Sequence, residues 1–206
     1  MAFVKSRDRF LGGLYMKKIL SFLLVMFITV GLVGCSQSNK NEENQPKENI
    51  EQTVTDSHQN IFIAYYSYSG NTKATAQEIQ KQTDGELVEI TRKEAYPDDF
   101  YDIAENEIIN GEQPEITLSI DSIEQYDVIF IGYPIWWKKA PAMINTFVHQ
   151  FDFDSKTVIP FCTSSSDGIE ESLDVFDDIQ DKANIKEGLR ISDYDEIADW
   201  LDKVLE

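Results

Sequence analysis

The chain of 206 residues is poor in the residues that build disulfide, metal and nucleophilic sites, with only two cysteines and two histidines. Cys35 follows an apolar run near the amino terminus and Cys162 follows another far along the chain, so we expect no disulfide between them. His58 lies in a polar stretch, and we expect His149, in a predicted helix, to be structural. Metal-ligand spacing and the usual catalytic sets are absent. The sequence therefore argues against a disulfide-stapled scaffold and a zinc centre, and we expect Cys162 to be a small core residue.

Basic residues are also scarce, since the chain has 18 Lys and Arg residues and 37 Asp and Glu residues, which gives a formal charge of -19. Five of the basic residues and only one acidic residue precede Cys35, which leaves 13 basic and 36 acidic residues from there on, or about -23. Nucleic acid and bare anionic lipid are then poor partners, because Lys and Arg dominate phosphate binding. A cationic protein partner remains open beside the simpler explanation of a solvated acidic surface.

The sequence also lacks a Walker lysine, although residues 61–72 have the character of a strand followed by an anion-binding loop. An apolar run leads into a cluster of hydroxyls with Gly70 and Asn71, and residues that favour a helix follow. Such a loop offers the free N–H groups of a helix's first turn and several hydroxyl donors. Without the lysine, a nucleoside triphosphate with magnesium is a poor fit, and a single terminal phosphate is a better one.

The amino-terminal segment has the order of a secretory signal. Residues 16–18 form a short basic region, residues 19–33 are almost entirely apolar, and Gly34-Cys35 follows. The last four residues, 32–35, resemble the lipobox of bacterial lipoproteins, which implies cleavage after Gly34 and acylation of Cys35. The alternative is an uncleaved membrane anchor, and the start of the chain is either Met1 or Met16. We expect residues 1–34 to be a signal peptide, 35–59 a lipidated flexible tether and 60–206 a globular domain on the extracytoplasmic face of the cell membrane.

Within the globular part, apolar runs alternate with amphipathic segments, which predicts a parallel sheet with helices on both faces, an α/β fold. On the second helix we expect Phe100, Ile103, Ala104 and Glu107 or Ile108 on one side, toward the sheet. Residues 111–125 are interpreted as a long crossover loop with a short turn. The patterns predict strands from 61 and over 86–90, 126–133, 157–161 and 184–189, and helices over 71–83, 99–110, 141–150, 169–180 and 193–205.

Three strand-to-helix loops combine features that suit one ligand. Residues 67–72 offer donors for a phosphate, residues 134–137 present two indoles on a proline-bounded turn, and residues 163–168 carry small hydroxyls and a glycine. Each loop alone is weak evidence, since Trp pairs often belong to a core. Because loops after parallel strands meet at one edge of the sheet, their coincidence favours a ligand with a planar ring and a phosphorylated tail.

At these residues the chain resembles the flavodoxin-like family, and in particular its branch with Tyr-Pro-Ile-Trp-Trp loops. The resemblance covers roughly residues 60–206. It implies a three-layer sandwich around a five-stranded parallel sheet of order 2-1-3-4-5 that binds FMN, with the first loop on the phosphate and the other two along the isoalloxazine. The residues that it assigns to FMN are Ser67, Tyr68, Ser69, Gly70, Asn71, Thr72, Pro134, Ile135, Trp136, Trp137, Thr163, Ser164, Ser165 and Gly168.

The third loop departs from that branch, because serines and Asp167 stand where relatives carry more glycine. Asp167 either lowers the flavin's potential by disfavouring the anionic reduced ring or caps the helix that follows. The sequence thus predicts an FMN-dependent redox protein, either an electron carrier or a reductase of a quinone-like acceptor, which works with a redox partner protein or a small acceptor. The alternative is a binding lipoprotein that keeps the fold but has lost tight flavin binding. No nicotinamide site is evident.

Overall fold

The computed structural model describes residues 59–206. The predictions of a signal peptide, a tether and an acylated Cys35, and the polar setting of His58, concern residues outside this part, so the domain boundaries stay predictions. Across 59–206, no helix has the length and apolar character needed to span a bilayer. In chain order the elements are β1 (Ile61–Tyr65), α1 (Asn71–Thr83), β2 (Glu86–Glu89), β3 (Thr91–Arg92), α2 (Tyr101–Ile109), β4 (Ile116–Thr117), β5 (Val128–Pro134), α3 (Ala142–Gln150), β6 (Thr157–Thr163), a 3₁₀ segment (Ile169–Ile179), β7 (Asn184–Ile185), β8 (Leu189–Arg190) and α4 (Asp195–Leu205).

The main sheet is parallel and has the order β2-β1-β5-β6, with β7 and β8 both paired to β6 at the fifth position. The predicted order 2-1-3-4-5 is therefore confirmed, with one change in detail. The single strand predicted over 184–189 is two short strands, because three residues separate Ile185 from Leu189 whereas only two separate their partners on β6, Val158 and Phe161. An extra residue on one chain interrupts a ladder as a bulge does. The interruption lies beside Pro160, which has no N–H to donate.

Alternate residues of the central strands build two apolar layers, one on each face of the sheet. Phe62 and Ile129 belong to the layer that α3 covers with Phe147. Ile63 and Phe130 belong to the opposite layer, which α1 and α4 cover with side chains that include Ala76, Ile79, Trp200 and Leu201. The structure is thus the predicted α/β sandwich of three layers. Its strand ends bring the loops after β1, β5, β6 and β8 to one edge.

Two predicted elements differ from the structure. The helix predicted over 169–180 is a run of 3₁₀ turns, in which Ser172 Oγ donates to the carbonyl of Ile169 at 2.9 Å. Such bonds to the i−3 carbonyl favour the tighter helix. The crossover predicted over 111–125 contains β4, which pairs antiparallel with β3 in a small second sheet.

Most of the side predicted to be buried on the second helix is buried, with Phe100, Ala104 and Glu107, and one residue departs from the prediction. That residue is Ile103, which is exposed. Glu107 is accepted in the interior because it pairs with Arg92 of β3 and accepts a hydrogen bond from the Tyr96 hydroxyl. A buried carboxylate needs such partners, and the apolar pattern of α2 alone did not reveal them.

Candidate functional site

The loop after β1 turns into α1 at a glycine. Gly70 has a left-handed φ of 92°, and a Cβ added there would meet no atom within 4 Å, so the loop's outer side is open. Ser67 Oγ accepts hydrogen bonds from the N–H groups of Gly70 and Lys73, both at 3.2 Å. Its hydroxyl hydrogen stays available to an acceptor. By helix geometry, the first-turn N–H groups of Asn71 and Thr72 have no intrahelical partner, so this end of α1 suits an anion.

The one lysine in this turn faces elsewhere. Lys73 Nζ lies 3.1 Å from Glu89 Oε2, which also accepts a hydrogen bond from the Tyr65 hydroxyl at 3.1 Å. Burial and the Glu89 carboxylate raise the pKa of Tyr65 to about 12, so the phenol stays protonated as a donor. Lys73 is therefore paired with Glu89 of β2, and an anion bound at the loop needs other groups to balance its charge.

The turn after β5 has an unusual backbone. Trp136 and Lys139 exchange two backbone hydrogen bonds of 2.9 Å, and the residues between them, Trp137 and Lys138, have φ values of 45° and 64°. Two successive left-handed residues define a turn of type I′, which normally contains asparagine and glycine. Lys138 pairs with Glu171 and Lys139 with Asp174, so the turn is tied to the 3₁₀ segment. Strained backbone of this kind is concentrated at functional sites.

The two indoles of this turn lie in different surroundings. The Trp136 ring makes an edge contact with Tyr66 at a centroid distance of 5.6 Å and packs against Phe100 at 5.3 Å. Trp137 is 40% exposed, touches Tyr101 edge-on, and lines a cavity of about 580 Å³ beside α2 and α3. Neither indole shares the cleft that Pro134 and Ile135 line.

The loop after β6 is connected to the first loop by side chains. The hydroxyls of Thr72 and Thr163 are 2.8 Å apart, and Thr72 is buried. Ser164 Oγ accepts N–H bonds from Ser166 and Asp167. The 3₁₀ segment begins after Gly168 without a side-chain cap, so the expectation that Asp167 caps it is wrong. Instead, the two hydrogen bonds that Ser164 Oγ accepts close the turn before this segment.

A cleft of about 780 Å³ at the carboxyl edge of the sheet brings the loops together. Seven predicted residues line it, namely Ser69, Asn71, Pro134, Ile135, Thr163, Ser164 and Ser165. The other predicted residues lie around it without lining it, namely Ser67, Tyr68, Gly70, Thr72, Trp136, Trp137 and Gly168. Sequence reasoning missed a fourth wall, made by Thr75 of α1 and by residues 190–194 after β8. The rule that ligands bind at the carboxyl ends of parallel strands could have pointed to that last loop.

The chemistry of the cleft suits a phosphorylated organic ligand. Its volume lies within the range of about 300–1,000 Å³ that is typical of cofactor sites. Its polar lining consists mainly of hydroxyls, with one guanidinium, that of Arg190, and one carboxylate, that of Asp193. Ile135 and Ile191 add apolar surface. A ligand with one anionic end and one apolar end is therefore accommodated.

Cys162 and His149 have structural roles in this fold, as expected. Cys162 is fully buried, and desolvation raises the pKa of its thiol to about 12, which leaves it protonated and unreactive at neutral pH. His149 Nδ1 is 2.8 Å from the carbonyl of Asn145, and its Nε2 is 3.0 Å from Asp178 on the 3₁₀ segment. The described residues contain no group of three or more side chains able to hold a metal ion.

Comparison with known proteins gives one family match and several similar solved structures. The sequence profile described as flavodoxin matches residues 60–204. A candidate flavoprotein of Bacteroides eggerthii is 33% identical, with a TM-score of 0.62 over 72% of this chain and 99% of that one. One from Bacteroides uniformis is 30% identical, with a TM-score of 0.64 over 70% and 98%. A Lactobacillus acidophilus flavoprotein solved in complex with FMN is 29% identical, with a TM-score of 0.61 over 72% and 99%. No protein of curated function matches the sequence.

Proposed function

The chain belongs to the flavodoxin family, and from this premise we propose that its globular domain binds FMN and transfers electrons to or from a partner protein or a quinone-like acceptor. The observation that carries the proposal is the cleft at the carboxyl edge, which collects residues from the loops after β1, β5 and β6. The flavoprotein of Lactobacillus acidophilus, similar over 72% of this chain, holds FMN. Bound FMN would supply the redox chemistry, since it accepts one or two electrons.

The chain's own residues would hold the cofactor by its two ends. Ser69, Asn71 and the first-turn N–H groups of α1 would bind the phosphate, because they lie where the loop opens at Gly70. Pro134 and Ile135 would contact the ring system, with Ser164 and Ser165 on the other side of the cleft. The Trp136 ring and the aromatic side chains packed against it would support Pro134 and Ile135 from the side away from the cofactor. The exposed Trp137 would lie near the surface that a redox partner approaches.

The cofactor proposal is tested with the purified protein. We expect it to be yellow and to release FMN on denaturation. Replacing Ser69 and Asn71 together by alanine should weaken FMN binding by about tenfold or more, since each lost hydrogen bond is worth about 1 kcal/mol. Fluorescence quenching of titrated FMN measures this, and Ser119→Ala, an exposed serine outside the cleft, is the control.

A colourless protein that leaves the fluorescence of added FMN and its own melting temperature unchanged would contradict the proposal. The chain would then be better described as a binding lipoprotein with a flavodoxin fold. If FMN binds but neither NAD(P)H nor a quinone reacts, the protein is a carrier that works between proteins.

We further propose that the domain is held at the extracytoplasmic face of the membrane by acyl chains on Cys35. The support is the sequence alone: the basic, apolar and Gly-Cys order of residues 16–35. More than one acyl chain gives stable anchoring. In a bacterial host grown with a labelled fatty acid, the wild type and Cys162→Ala should both carry the label, whereas Cys35→Ala should not. Mass spectrometry of an unmodified Cys35 in the mature wild-type chain would refute the anchor.

A further inference from the structure

The carboxyl-edge cleft contains a positive group that the predicted site did not include. Arg190 ends β8, pairs with Cys162 of β6 and lines the cleft. Its Nη1–H donates to the carbonyl of Ser164 at 3.3 Å, which places it beside the third loop. A guanidinium has five N–H donors, so most of them remain for another acceptor.

The charge of Arg190 is not paired within the part of the chain that the structure covers. No carboxylate among residues 59–206 lies within 4 Å of its guanidinium, although the domain is strongly acidic. Asp193, the acid of the same cleft, accepts the N–H of Asp195 through Oδ1 at the start of α4. An unpaired arginine in such an acidic protein is favourably placed for an anionic ligand.

The other cation near the first loop is already engaged. Lys73 pairs with Glu89 on β2, on the side of β1 away from β6. Asn71, at the start of α1, lines the same cleft as Arg190. The first turn of α1 therefore contributes N–H donors and a partial positive charge to this cleft, and Arg190 contributes the full charge.

We propose that Arg190 is the cationic ligand of the phosphate group of the bound flavin nucleotide and selects FMN over unphosphorylated riboflavin. This inference rests on the proposed function of the same cleft. A phosphate monoester carries nearly two negative charges at neutral pH, and the amino terminus of α1, equivalent to roughly half a positive charge, offsets only part of them. Riboflavin lacks the phosphate and gains nothing from Arg190.

The test compares two ligands, FMN and riboflavin, on four proteins: the wild type, Arg190→Gln, Arg190→Lys and Lys186→Gln. Lys186→Gln is the matched control, because it removes the same unit of positive charge from the connection between β7 and β8, outside the cleft. We expect Arg190→Gln to weaken FMN by about 10- to 100-fold, as for a lost charge-assisted hydrogen bond, and to leave riboflavin affinity unchanged. Lys186→Gln should change neither, and Arg190→Lys should restore part of the FMN affinity.

Inorganic phosphate tests the contact between Arg190 and phosphate independently of the flavin ring. It should raise the melting temperature of the wild type and compete with FMN, and both effects should be lost in Arg190→Gln. Equal weakening of FMN and riboflavin in Arg190→Gln would overturn the proposal, because the residue would then only position the Ser164 loop. Unchanged FMN affinity would overturn it as well. A wild type that binds phosphate but no flavin would refute the proposed function while keeping the role of Arg190 toward phosphate.

Discussion

Gly132→Ala should lower the free energy of unfolding by about 3 kcal/mol, the upper part of the range for overpacked cores. A Cβ at this position of β5 would lie 2.1 Å from the Phe161 ring of β6, inside any van der Waals contact. Gly132 pairs with both β1 and β6, so its backbone is held on two sides and cannot move away easily. Urea denaturation followed by tryptophan fluorescence and by circular dichroism gives the free energy.

A compensating variant separates the steric cause from a general weakness of β5. Phe161→Leu shortens the side chain that fills the space over Gly132, so Gly132→Ala with Phe161→Leu should lose less stability than the two single losses added together. Phe161→Leu alone should be destabilising through its own cavity. Additive losses in the double variant would show that the ring over Gly132 is not the constraint.

Glu107→Gln should cost about 3 kcal/mol of unfolding free energy, because it leaves the guanidinium of Arg92 buried without a counter-charge. The two side chains are 6% and 16% exposed and are joined by a 2.7 Å contact. The guanidinium also lies 4.7 Å from the centre of the Tyr96 ring, and its Nε has no hydrogen-bond partner among residues 59–206. Burial and the hydrogen bond to Glu107 raise the pKa of Tyr96, so its hydroxyl remains a donor.

The control for this prediction is the neighbouring exposed pair of Lys93 and Glu115, which joins the residue after β3 to the residue before β4. Glu115→Gln should leave stability unchanged, since exposed ion pairs contribute little. Tyr96 packs against Trp136, so Glu107→Gln should also alter tryptophan fluorescence in the folded state. Equal stability of the two variants would mean that water reaches Arg92 and that the pair is not truly buried.

The central sheet and the first loop were predictable because their residues carry strong local signals. Long apolar strands such as β5 and β6 have a clear pattern, and the hydroxyl cluster before Asn71 marks a helix start at a strand end. Arg190 was missed although the strand predicted over 184–189 ends beside it, because the ligand was assigned to the three loops that carry the family resemblance and the loop after this strand was not considered. The different surroundings of Trp136 and Trp137 follow from the left-handed φ values of their turn, which residues other than glycine and asparagine seldom adopt.

The 3₁₀ segment was not predictable for a related reason. Its apolar residues recur at spacings that an α-helix also satisfies, and only the bond from Ser172 to the Ile169 carbonyl reveals the tighter winding. The buried Glu107 was partly hidden as well, because its partners Arg92 and Tyr96 come from a separate stretch of chain. The pairing of Glu107 with Arg92 and Tyr96 is a tertiary contact that no local pattern encodes.

The divided strand at the edge of the sheet affects how copies of the protein meet. β7 and β8 each offer only two consecutive pairing positions, with a bulge between them, so an incoming extended chain finds no continuous ladder to extend. At the opposite edge, β2 is only four residues long and begins and ends with glutamates, Glu86 and Glu89, so it offers only a short and charged template for pairing. Both margins of the sheet thus oppose the intermolecular strand pairing that leads to aggregation. That protection would matter most for a protein concentrated in two dimensions on a membrane surface.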